Sequence, residues 1–136
     1  MRLFVGILLA FFVCETQAEQ THHWLGYDIH YTTYPSTLIL TDVAAAHGIV
    51  RSDNRLVTNI TVIKQGKPVQ LEIAGYAKNL LNQQFELEFS EITEHGAIYY
   101  LANQIISEQD AISFNISIKP VGETETYLLN FARRYY

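Results

Sequence analysis

Ile112-Ser113-Phe114-Asn115-Ile116-Ser117-Ile118-Lys119 places an apolar side chain at every second position. Successive side chains of a strand point to opposite faces of a sheet. The stretch therefore reads as a strand with Ile112, Phe114, Ile116 and Ile118 buried and the residues between them wet. The same period of two recurs along the chain. Upstream, Phe85, Leu87 and Phe89 alternate with Glu86, Glu88 and Ser90, while Leu56, Ile60 and Val62 face away from Asn59 and Thr61. Leu71 and Ile73 alternate with Gln70 and Glu72, and a first strand covers the region from Gly26 to Tyr34. Downstream, Tyr127, Leu129 and Phe131 close the series.

Turn residues separate these runs at hairpin distances. Gln65-Gly66-Lys67-Pro68, Glu94-His95-Gly96 and Val121-Gly122-Glu123 each carry a glycine able to take the positive φ of a tight turn. Short strands joined in this way predict an antiparallel sandwich or barrel. One segment breaks the period. Residues 41–48, Thr41 to Gly48, read as a helix of about two turns, with Thr41 as its cap, Asp42 at the positive end of the dipole and Gly48 as its stop.

The N-terminus carries a different signal. Met1-Arg2 precedes an unbroken apolar run from Leu3 to Val13, and Thr16-Gln17-Ala18 sets small side chains at −3 and −1 of a cleavage site before Glu19. This order of parts predicts a secretory signal over residues 1–18, cleaved after Ala18, and a single β-sandwich domain over 19–136. The run is too short for a membrane-spanning helix, which needs about 20 apolar residues. Cys14 would be the lipidation site of a lipoprotein, but Phe11-Phe12-Val13 lacks the small residue such processing requires. Cys14 is thus read as part of the discarded signal, which leaves a domain without cysteine. Such a domain relies on packing alone, as a periplasmic protein can. The sequons Asn59-Ile60-Thr61 and Asn115-Ile116-Ser117 fall inside predicted strands and are read as chance matches.

The chain has a net charge of −5, and loss of Arg2 and Glu15 with the signal leaves it there. An acidic domain lacks the basic footprint that nucleic acid requires, and it lacks the charge for docking on an anionic membrane. The histidines do not form a metal motif. His22 and His23 lie near the mature N-terminus, His30 on the first strand, His47 at the helix end and His95 in a turn, with no thiolates and no HxxxH-type pair. No Gly-x-Ser-x-Gly elbow is present, and Glu86 and Glu88 read as a solvated strand face rather than as a glycosidase pair. The expectation is a non-enzyme without cofactor or bound metal.

Two features suggest contact with a partner. Arg51-Ser52-Asp53-Asn54-Arg55 sets two guanidinium forks four residues apart, which would suit an anionic group or tie down a crossing loop. Adjacent tyrosines on a strand face opposite ways, so one of Tyr99 and Tyr100 is expected outside. Arg133-Arg134-Tyr135-Tyr136 ends the chain with the residue types common in protein interfaces. The surface predicted to meet a partner comprises Arg51, Ser52, Arg55, Tyr99, Tyr100, Arg133, Arg134 and Tyr136. The partner expected is another periplasmic or envelope protein, met through a strand edge or a loop end. The alternative is a small anionic ligand or metal-ion binder, centred on the Arg51–Arg55 loop or on His22, His23 and His30.

Several of these pieces, in this order and spacing, resemble the DUF4426 family of short exported bacterial proteins. They are Tyr27-Asp28-Ile29-His30-Tyr31, Gly48-Ile49-Val50-Arg51-Ser52 leading to Arg55, Asn59-Ile60-Thr61-Val62, Gly66-Lys67-Pro68-Val69 and Gly96-Ala97-Ile98-Tyr99-Tyr100. The resemblance implies a periplasmic, Gram-negative setting and no particular activity. It also implies an all-β, immunoglobulin-like antiparallel β-sandwich, here of about seven strands with one short interstrand helix.

Overall fold

A computed structural model of the chain describes residues 20–105 and 111–134. The predicted signal segment and Tyr136 lie outside the described residues. The alternating runs fold as strands and stack into two antiparallel sheets. One sheet has the order β1 (Gln20–Trp24), β2 (Tyr27–Pro35), β3 (Arg55–Lys64), β8 (Ala97–Ile105) and β7 (Ser90–Glu94). The two-residue β4 (Lys67–Pro68) hangs on β3. The other sheet has the order β10 (Tyr127–Arg134), β9 (Ala111–Pro120), β5 (Leu71–Lys78) and β6 (Gln84–Leu87). Taking β2 as strand A, the two orders become A-B-E-D and G-F-C-C′. That is immunoglobulin-like connectivity, with β1 added beyond A.

The core lies where the inward faces meet. Ile112, Phe114, Ile116 and Ile118 of β9 are all buried, as their period requires, and pack with Ile29, Leu56, Ile60, Val62 and Leu129. Three hairpins, at Leu25-Gly26, Gln65-Gly66 and His95-Gly96, use two-residue turns with positive φ at both positions. Their backbone twist matches that of the strands they join, and the glycine takes its position without steric cost.

Some expectations need correction. Ten strands are described rather than about seven, the additions being short pieces such as β1, β4 and β7. The run from Phe85 to Ser90 is not one strand: β6 ends at Leu87 in one sheet and β7 begins at Ser90 in the other. The period of two continues through the crossing, so alternation alone could not reveal it. His22 and His23, near the expected mature N-terminus, belong to an added strand and pair in β1 with Ile29 and Asp28 of β2. The helix α1 (Thr41–Ala46) is real but shorter, and Thr41 does not cap it. Leu40 occupies the cap position without a side-chain bond, and the Thr41 hydroxyl instead accepts a hydrogen bond from Arg51. Gly48, just beyond the helix, has the positive φ expected of a stop. Helix and flanking loop cover part of the outer face of the first sheet, through Ile39, Ala44 and Ile49 on Val57 and Leu101.

Candidate functional site

The loop between β2 and β3 is fastened by its own polar residues. Buried Ser36 donates to the Ser52 carbonyl (3.1 Å) and accepts from the Ser52 amide (2.9 Å). Ser52 also donates to Asn54. Arg51 donates to the Thr41 hydroxyl (2.9 Å) and to the Thr37 carbonyl (2.8 Å), which holds the start of α1 against the returning chain. Arg55 reaches the Asn103 side chain on β8 (3.2 Å). The two guanidinium groups thus have separate partners, Arg51 at the start of α1 and Arg55 on β8.

The tyrosine pair divides as the strand period demands. Tyr100 is 3% exposed, and its hydroxyl accepts the Leu71 amide hydrogen at 2.8 Å, linking β8 of one sheet to β5 of the other. Burial pushes its phenol pKa up. Tyr100 is therefore a core residue, which corrects its place in the predicted surface. Tyr99 faces outward and is half-buried. Arg133 lies over the Phe131 ring at 5.7 Å, and Arg134 is exposed.

Apolar residues that sequence reading passed over mark the strongest exposed feature. Leu38, Leu40, Val50, Leu80, Leu81 and Ile105 are each between 52% and 80% exposed. All six lie on loops or strand ends. Leu38, Leu40 and Val50 belong to the β2–β3 connection, Ile105 ends β8, and Leu80 and Leu81 join β5 to β6. Only residues 106–110 separate Ile105 from the start of β9. Six chain steps reach about 20 Å, well short of the roughly 33 Å length of β9. The ends of β8 and β10 and the β5–β6 loop therefore share one end of the sandwich with the tops of β2 and β3. Arg55 and Arg134 stand at the same end. No periodic signal marks these positions, because they lie between strands.

The histidines do not converge. His22 faces inward, between the sheets at the β1–β10 seam, while His23 and His30 face outward. His22 Nδ1 meets the Tyr127 hydroxyl at 2.5 Å, and its Nε2 meets the Tyr31 hydroxyl at 3.4 Å. The phenols sit against opposite ring nitrogens, so one cation could not be bound by all three. His23 pairs with Asp28 at 2.5 Å and His30 with Thr21 at 2.9 Å. Among the described residues no three His, Cys, Asp or Glu side chains gather to hold a metal ion, and no helix is long and apolar enough to cross a membrane.

A second feature is a trough on the outer face of the four-stranded sheet. Cross-strand pairing aligns Asn130, Asn115, Tyr76 and Glu86 in one row over β10, β9, β5 and β6. The neighbouring row, Leu128–Ser117–Ala74, is low apart from Leu128. The open trough offers a space of about 500 Å³.

The model of the family described as a domain of unknown function, DUF4426, matches residues 22–136. The chain belongs to that family. A crystal structure of a DUF4426 family protein from Pseudomonas aeruginosa is 34% identical to this member, with a TM-score of 0.81, and the match covers 88% of this chain and 96% of that one. More distant likenesses extend the fold alone. A copper-bound variant of FetP from uropathogenic Escherichia coli is 12% identical with a TM-score of 0.60, covering 87% of this chain and 95% of its own. FetP from the same strain, isolated after expression in the periplasm, is also 12% identical, with a TM-score of 0.52 over 87% and 92% of the two chains. Among curated proteins none matches this DUF4426 chain.

Proposed function

We propose that the protein is a binding module of the bacterial envelope, exported after cleavage behind Ala18, whose domain 19–136 engages another envelope protein through one loop end. The observation that carries this reading is the set of six exposed large apolar side chains at that end. Single exposed apolar residues are ordinary on protein surfaces, but a set gathered on one end is the usual mark of an interaction site. Arg55 and Arg134 supply the cations that interfaces favour, in reach of carboxylates on a partner. Tyr99 lies on the outer face of β8, away from this end, and Arg51 and Ser52 contribute by fixing the loop that presents Leu38, Leu40 and Val50.

The test is replacement of Leu38, Leu40 and Leu81 by serine in the native host. Exposed side chains of this kind usually change stability by no more than about 0.5 kcal/mol. The triple variant should melt as the parent does yet lose an envelope protein that crosslinks to the parent in cells. Undiminished crosslinking by a folded variant would contradict the proposal.

A further inference from the structure

We propose that the trough on the outer face of the four-stranded sheet binds an uncharged oligosaccharide. This goes beyond the loop-end reading and uses a different surface. Asn130, Asn115, Tyr76 and Glu86 project side by side from four strands, and Gln84 flanks them at the start of β6. Strands lie about 4.8 Å apart, so the row is about 14 Å long. The side chains of Asn115, Asn130, Gln84 and Glu86 make no hydrogen bond to another described residue. Their donors and acceptors are therefore available to a ligand.

The chemistry of the lining selects the ligand class. A primary amide offers two donors and an acceptor oxygen, which fits a pair of neighbouring hydroxyls that must each give and take a hydrogen bond. Lys78 Nζ lies 5.7 Å from the centroid of the Tyr76 ring, over one of its faces, and the other face is flat and electron-rich, a surface against which the C–H face of a sugar ring can lie. Ala74 and Ser117 keep the floor low beside the Tyr76 row, and the Ser117 hydroxyl is already committed to the Ala74 carbonyl at 3.2 Å. An apolar ligand would leave the amides and the carboxylate desolvated without partners. An anionic ligand would meet Glu86, the only charged side chain among the lining residues, while the nearby Lys78 is drawn over the Tyr76 ring. A neutral polyhydroxylated ligand meets neither objection. The space of about 500 Å³ is within the range of small-molecule sites, about 300–1,000 Å³.

The experiment uses protein produced from the full-length gene, labelled with ¹⁵N. It is titrated separately with cellotetraose, maltotetraose and tetra-N-acetylchitotetraose to about 10 mM, a range that captures millimolar affinities, and with an uncharged, terminally blocked extended tetrapeptide as comparator. At least one saccharide should give saturable shifts centred on the amides of Tyr76, Asn115 and Asn130. Tyr76→Ala and Asn115→Ala should each weaken that binding by about tenfold or more with the remaining spectrum preserved. Tyr99→Ala, on the other sheet, should leave it within about twofold. No saturable response to any of the saccharides, shifts centred elsewhere, or binding of the peptide alone would overturn the proposal.

Discussion

Replacing Tyr100 by phenylalanine removes one oxygen atom from the interior and cuts a polar tie between the two sheets. The Tyr100 hydroxyl accepts the Leu71 amide hydrogen at 2.8 Å, and both residues are under 10% exposed. Phenylalanine keeps the ring and its packing, so the transfer of apolar surface changes little. What changes is the Leu71 N–H, left in the interior without its acceptor. A buried donor stranded in this way costs about 1–3 kcal/mol, and the middle of that range is the expected loss. A domain of this size loses roughly 4–5 °C of melting temperature per kcal/mol, so the midpoint should fall by about 8–10 °C. Urea titration should show the same loss with an unchanged slope. Tyr99→Phe on the outer face is the matched control and should stay within about 0.5 kcal/mol of the parent. Hydrogen exchange adds a local signature, since the Leu71 amide should lose protection beyond the global change. Equal stability of Tyr100→Phe and the parent, or equal damage from Tyr99→Phe, would refute the reasoning.

Other expectations follow from the same packing. A Cβ on Gly75 would lie 2.7 Å from the Asn115 carbonyl oxygen and 3.0 Å from Ile116 Cα, and backbone cannot yield cheaply. Gly75→Ala should therefore cost about 2–3 kcal/mol in a denaturant melt, near the upper end for overpacking. The Thr58 hydroxyl is buried without a hydrogen-bond partner among the described residues, so Thr58→Val should raise stability by about 1 kcal/mol in the same assay. The phenols of Tyr27, Tyr34 and Tyr100 are held above their ordinary range, Tyr27 first by its hydrogen bond to the Glu123 carboxylate and the other two by burial. A raised pKa favours the protonated, folded form. Its contribution is complete below about pH 10 and is lost as pH rises through the higher folded values. Urea midpoints should thus be level from about pH 7 to 9 and fall steeply above about pH 10.

Much of the fold was legible because β9 and β10 alternate cleanly and each buries one face. Ile112 to Ile118 and Tyr127 to Phe131 fall where their period places them. The two-residue turns at Gln65-Gly66 and His95-Gly96 were equally plain, since glycine there answers a local backbone need. What stayed hidden depends on long-range pairing. The crossing between Leu87 and Ser90 keeps the strand period intact while changing sheets. β1 gives little hydrophobic signal because it is an edge strand whose inward residues, His22 and Trp24, are only half-buried. The predicted site fared unevenly for the same reason. Alternation said that Tyr99 and Tyr100 face opposite ways, but only the sheet packing decides which is inside. The exposed leucines carry no motif at all. Their common end comes from the placement of loops 40 residues apart in sequence, and the Asn130–Asn115–Tyr76–Glu86 row exists only once four strands are in register.

The central claim, that the loop end is the contact surface, is tested most directly by site-specific photo-crosslinking in the native host. A photoreactive residue replaces Leu40, Leu80 or Val121 in turn, the last being 59% exposed in the β9–β10 turn at the opposite end. The account predicts one discrete adduct with the same envelope protein from the Leu40 and Leu80 positions and none from Val121. Absence of an adduct at both leucines, or equal labelling from Val121, would contradict it.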